Sequence, residues 1–136
     1  MKNYSLEEME DLSRKRIIYI IDNYCDGNRM ELARRTGIGK SSISQYVNGT
    51  NTPGNITAAK IGYEFGIDPM WIMGFDVPMD KKEADKYRQK ESFKQDLEDH
   101  YNLELSDDDL EFIDLYCKLP EDKKQLFLKI AKSVLE

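Results

Sequence analysis

The segment from Asn28 to Gly49, NRMELARRTGIGKSSISQYVNG, constrains the fold of this chain more than any other. Leu32, Ala33, Ile38, Ile43 and Val47 recur at intervals that bury one face of two short helices, and a strand would place them on alternating faces. Between them, Thr36-Gly37-Ile38-Gly39 allows only a tight turn, with Gly37 suited to the left-handed conformation that ends a helix. Asn28 can cap the first helix, expected over residues 29–36, and Gly39 occupies the N-cap position of the second, expected over 40–47. The pattern is a helix-turn-helix.

The flanking residues extend this into an all-helical chain. Ser5 and Glu8 form a capping-box pattern before Leu6, Met9, Leu12, Ile17, Ile20, Ile21 and Tyr24, which predicts a first helix ending near Asp26 and Gly27. After a polar loop over residues 50–55, a fourth helix is expected from Ile56 to Phe65, with Ile61 and Phe65 inward, Gly62 marking close packing and Gly66 as its stop. A fifth starts at Asp68-Pro69, an N-cap acid followed by proline at the first helical position, and carries Met70, Trp71, Ile72 and Met73. Residues 1–79 are thus expected to form one compact domain.

Beyond Met79 the composition changes. Residues 80–105 are dense in charge, with Tyr87, Phe93, Leu97 and Tyr101 too sparse for a continuous core stripe, and read as a linker that is helical in part. Ser106 caps a further helix with Leu110, Phe112, Ile113, Leu115 and Tyr116 on one side, and Leu119-Pro120 breaks it. A last helix from about Glu121 carries Leu126, Phe127, Ile130, Val134 and Leu135. Two such helices cannot bury their apolar stripes alone and need either the N-terminal domain or a second copy; association is the more economical, so residues 106–136 are expected to be a helical hairpin that oligomerises.

Charge divides in the same way. The chain carries a net charge of -6, yet residues 28–60 hold five cations, Arg29, Arg34, Arg35, Lys40 and Lys60, against the single anion Glu31. Residues 80–136 hold 11 Lys and Arg against 16 Asp and Glu. A local basic face in an acidic chain is the footprint of a nucleic-acid contact. Cys25 and Cys117 are far apart and His100 is the one histidine, so no metal-ligand or disulfide framework is expected. The acidic, polar N-terminus and the lack of a long apolar run predict a cytoplasmic protein that needs neither membrane nor cofactor. No nucleophile-base spacing suggests an enzyme.

A helix-turn-helix of this kind lays its second helix in the major groove of double-stranded DNA. Lys40, Ser41, Ser42, Ser44 and Gln45, on the first turns and outer face of that helix, are the candidate base-reading residues. Gln45 can bond adenine N6 and N7, and Lys40 can reach guanine O6 and N7. Arg29, Asn48, Thr50 and Asn51 are the candidate phosphate contacts. Arg34 and Arg35 could serve the DNA or form an ordinary solvated face, whereas Tyr46 and Trp71 read as core.

The residues LARRTGIGKSSISQYVNG, a proline-containing loop and FGIDPMWIMGFDVPM together resemble the XRE/Cro-CI class of helix-turn-helix regulators over residues 12–79. WIMGFDVPM is similar to immunity repressors of temperate phages and prophages of Gram-positive bacteria. The resemblance implies a five-helix, lambda-repressor-like DNA-binding domain that recognises operator half-sites as a homodimer or higher homo-oligomer. Arg29 and Lys40 stand where many relatives have glutamines, one bonding a phosphate and one a base; two cations cannot bond each other, which leaves Lys40 open to either role. Longer relatives carry a self-cleaving peptidase domain, for which the 57 residues after Met79 leave no room. Relief by an antirepressor or other partner protein, or by a small molecule or peptide, is what the resemblance implies instead. A second reading is an antitoxin-type interaction protein whose C-terminal helices bind a partner while the helix-turn-helix autoregulates its operon.

Overall fold

A computed structural model of the chain describes residues 2–101 and 104–135. Eight helices are present among them: α1 (Leu6–Tyr24), α2 (Arg29–Thr36), α3 (Lys40–Asn48), α4 (Asn55–Phe65), α5 (Pro69–Ile72), α6 (Lys81–Tyr101), α7 (Asp107–Cys117) and α8 (Glu121–Leu135). The fold is all-α, with a helix-turn-helix near the N-terminus and a helical C-terminal extension. The helices divide into two compact units, Met1–Asp85 and Lys86–Glu136, and the division falls inside α6.

Local signals set the helix starts in the first unit. At α1 the Glu8 N–H donates to Ser5 Oγ at 3.2 Å and the Ser5 N–H to Glu8 Oε1 at 3.3 Å, a reciprocal capping box. Asn28 accepts the Met30 N–H at 2.9 Å, and Asp68 accepts the Met70 N–H at 3.1 Å. α1 stops at Tyr24, and Asp26 and Gly27 then turn the chain with positive φ. The buried faces of α1 to α5 meet in one cluster that includes Ile17, Ile20, Leu32, Ile43, Ile61 and Ile72. Tyr46 is buried in it, while Trp71 and Phe65 pack against it and are half-buried.

Close backbone approach brings α5 onto α4. A Cβ at Gly62 would stand 2.4 Å from the Ile67 carbonyl oxygen and 3.3 Å from Pro69 Cγ, so this turn requires glycine in mid-helix. α5 spans four residues, shorter than the run of apolar residues suggested. The chain after it is held by the Arg16 guanidinium, whose Nη1 donates to the carbonyls of Trp71 and Phe75 at 2.7 and 2.8 Å and whose Cζ lies 4.8 Å from the Trp71 ring centroid. The Asp68 N–H then donates to the Met79 carbonyl, and the Lys81 N–H to that of Gly66, at 2.8 and 3.0 Å, which anchors the start of α6. The segment that reads as a linker therefore begins as part of the first unit, with Ala84 buried, and is helical from Lys81 to Tyr101.

In the second unit, Phe93 stacks on Tyr116 at 5.8 Å between centroids, and Tyr116 and Phe112 lie 5.7 and 5.4 Å from Phe127. Ser106 and Asp109 form a second capping box at α7. Lys90 and Lys118 both bond Asp114, at 2.6 and 2.9 Å, and hold its carboxyl at a pKa of about 2. Because that value is depressed, the contribution of the triad is complete above the ordinary aspartate range and is lost as pH falls toward 2.

The structure corrects one expectation in this unit. The apolar residues of α7 do not share one side: Ile113 is buried, whereas Phe112 and Leu115 are 50% and 59% exposed. In an α-helix, position 113 is about 100° away from 112 and about 160° away from 115, so one face cannot hold all three. On α8, Leu126 and Ile130 are 51% and 56% exposed. The side chains of His100, Tyr101, Val134 and Leu135 lie outside the described residues.

Gly62→Ala should destabilise the first unit by about 1–3 kcal/mol through overpacking against the Ile67 carbonyl. Calorimetry checks this as a lowered Tm; an unchanged Tm would mean that α4 and α5 can separate at no cost.

Candidate nucleic-acid interface

The turn between α2 and α3 is built by a few residues. Thr36 Oγ1 donates to the Leu32 carbonyl at 2.6 Å and accepts the Ile38 N–H at 3.4 Å, while Gly37 takes φ 74°. Leu32 and Ala33 of α2, Ile38 of the turn, and Ile43 and Tyr46 of α3 are thereby buried together. Val47, also expected inward, is half-buried against them.

Burial of that face leaves the opposite face of α3 outward. Ser41, Gln45 and Asn48, at spacings of four and three, are exposed along one stripe. Lys40 is exposed at the first helical position, and Ser42 and Ser44 are half-buried at the flanks. Gly49 ends the helix at φ 77°, and the N–H groups of Thr50 and Asn51 fold back onto the Gln45 carbonyl at 3.0 and 3.4 Å. Thr50 and Asn51 are both exposed just past the outward stripe.

Arg29 is exposed at the first position of α2. α2 and α3 both begin on one open cleft of about 540 Å³, lined by Asn28, Met30, Arg34, Gly37 and Lys40 among others. At α3 the N-cap is Gly39, which makes no side-chain cap, so the first N–H groups of that helix are free to meet an anion. The nine candidate residues thus fall on the starts of α2 and α3, the outer face of α3 and the loop after it.

The two arginines left open by the sequence part company. Arg34 pairs with Glu31 one turn earlier on α2, through Nε at 3.0 Å and through Nη2, and the hydrogen bonds hold the Glu31 carboxyl below its ordinary range. The single anion of residues 28–60 is therefore matched on its own helix. Arg35 serves the fold: its Nε bonds Glu64 at 2.9 Å, its Nη1 donates to the Tyr24 carbonyl at 3.1 Å, and its guanidinium lies 4.5 Å from the Phe65 ring centroid. Cys25 is buried nearby, and desolvation pushes its thiol pKa up. That suits packing rather than reactivity.

Residues 29–72 match the helix-turn-helix family model. The matched stretch runs from the first residue of α2 to the last of α5 and so contains every candidate contact named above. No curated protein and no solved structure matches the chain. The helix-turn-helix domain is that of a DNA-binding regulator, and its family is not an enzymatic one. Among the described residues, no helix is long and apolar enough to cross a membrane.

Because Arg35 is spent on Glu64, Tyr24 and Phe65, Arg35→Ala should cost about 1–3 kcal/mol of stability. The slope of DNA affinity against salt should be unchanged. Thermal denaturation and a salt titration with duplex DNA check the two halves separately.

Proposed function

We propose that this protein is a transcriptional repressor of the phage or prophage type that binds operator half-sites as a homodimer in the cytoplasm. The observation that carries this is the outward stripe of α3, polar and uncharged at Ser41, Gln45 and Asn48, in the basic segment of an acidic chain. Gln45 offers the bidentate amide that pairs with adenine, a contact worth about 1–3 kcal/mol of discrimination. Ser41, Ser42 and Ser44 allow the helix to approach base edges closely, and Lys40 at the helix start reaches a guanine or a phosphate. Arg29, Asn48, Thr50 and Asn51 hold the phosphate backbone on either side.

In this reading residues 1–79 bind DNA, 80–105 connect, and 106–136 oligomerise. The exposed Phe112, Leu115, Leu126 and Ile130 support an apolar contact between copies. A two-fold dimer presents two α3 helices about 34–36 Å apart, so the half-sites it recognises should be centred one helical turn apart. Binding of the dimer across a promoter blocks polymerase; a partner protein or a small effector that disturbs the dimer relieves it.

Selection of bound fragments from the source genome, followed by fluorescence anisotropy near physiological salt, tests the reading. Gln45→Ala should narrow the gap between selected and random duplex by about tenfold while leaving random binding unchanged. Arg29→Ala should weaken both equally and reduce the salt slope by about one. Absence of any preference for selected fragments over random duplex would rule out specific repression.

Replacing Leu126 and Ile130 together with glutamate should convert the dimer to monomer in sedimentation velocity and lower operator affinity without altering helix content by circular dichroism. A double variant that still sediments as a dimer would move the interface elsewhere.

A further inference from the structure

The cations of the helix-turn-helix segment are unevenly placed. Arg29 and Lys40 stand at the starts of α2 and α3, whereas the residues at the far end of α3, Asn48, Gly49, Thr50 and Asn51, are all uncharged. Along the sequence the next cation is Lys60, at the middle of α4. Neutral hydrogen-bonding groups can fix register there, but they displace no counterions and add little salt-dependent affinity.

A cation reaches that end from another helix. Arg14 lies on α1, and a Cβ at Gly49 would stand 3.2 Å from Arg14 Cδ and 3.9 Å from its Nε. The stem of Arg14 thus crosses the C-terminal turn of α3 where the absent side chain of Gly49 leaves it room. Its side chain retains 39% of its exposure, and its pairing with Asp11 is long, 3.7 Å from Nη2 to Oδ1. Asp11 is engaged more closely by Lys15, at 2.8 Å. The guanidinium N–H donors, set in a fixed fork, are therefore only weakly held beside a loop of exposed polar groups.

We propose that Arg14 is a phosphate-binding residue, reaching the DNA backbone beside the C-terminal end of α3 through the space left by Gly49. This rests on the DNA-binding reading of α3 and adds the missing charge at that end. Arg14 and Arg29 then grip the backbone from two helices, with the reading face of α3 between them. No sequence pattern in α1 advertises the role, because 35 positions separate Arg14 from Gly49.

The test is the affinity of the full chain for a random-sequence duplex, measured by anisotropy across a KCl series, which needs no knowledge of the operator. Arg14→Ala should weaken binding roughly tenfold at low salt and lower the slope of log K against log salt by about one, while Arg14→Lys should keep the slope. Should the alanine variant lose helicity, Arg14→Gln keeps the stem across Gly49 and removes only the charge. A purely structural role would lower the Tm and leave the slope at the wild-type value. If Arg29→Ala lowers the slope and the Arg14 variants do not, the proposal is overturned while DNA binding through α3 stands. If the wild-type chain shows no salt-dependent binding, both fall.

Discussion

Burial of Ile43 and Tyr46 in the cluster shared with Ile17, Ile20 and Leu32 is the interaction on which the rest of the first unit depends. A fully buried isoleucine contributes about 1.5–3 kcal/mol, whereas the exposed Arg34–Glu31 pair is screened by solvent and does little to hold the fold. The orientation of α3 is therefore fixed by its inner face, and the outer face carries no part of that load. Ser41, Gln45 and Asn48 are exposed, so they can be replaced at little cost in stability and their chemistry is set by something other than the fold. Thr36 and Gly37 complete the constraint, since the hydroxyl bonds on both sides of the turn fix the angle at which α3 leaves α2.

How much of the structure is legible in the sequence follows the range of the interactions. Caps are local, so Ser5 with Glu8, Asn28, Asp68 with Pro69, and Ser106 mark helix starts correctly from residues no more than three apart. The helix-turn-helix is legible because its core face recurs at helical spacing around glycines that take positive φ. The stacking of Arg16 on Trp71 and its bonds to two carbonyls join residues 55 and 59 positions apart, and nothing local announces them. The same holds for Arg35 with Glu64. In α7 the difficulty is different: apolar residues occupy two faces, so periodicity alone could not say that Ile113 goes in while Phe112 and Leu115 stay out.

Negative charge in the helix-turn-helix segment is balanced locally. Glu31 is the one anion among residues 28–60, and Arg34 neutralises it one turn along the same helix. The second unit carries nine Lys and Arg against thirteen Asp and Glu, so it is poorly suited to bind a polyanion and leaves that task to the first. At physiological ionic strength fields fade over about 8 Å, which makes the local balance around α2 and α3 matter more than the net charge of the chain.

Magnitudes also bear on why the proposed repressor needs two copies. Specific protein–DNA complexes have dissociation constants of about 10⁻⁸ to 10⁻¹¹ M, or roughly 11–15 kcal/mol. On the reading surface of one copy, Gln45 is the residue equipped for a bidentate base contact, worth about 1–3 kcal/mol, and the serines add less. Phosphate contacts raise affinity for every sequence alike and so cannot widen the gap between operator and random DNA. Discrimination in a single copy thus stays near the value of one or two base contacts. A second α3 held at the correct spacing doubles it in free energy, which squares the specificity ratio. If the exposed apolar side chains of α7 and α8 join two copies as proposed, they have a consequence for sequence recognition, because the contact converts a weak reader into a selective one.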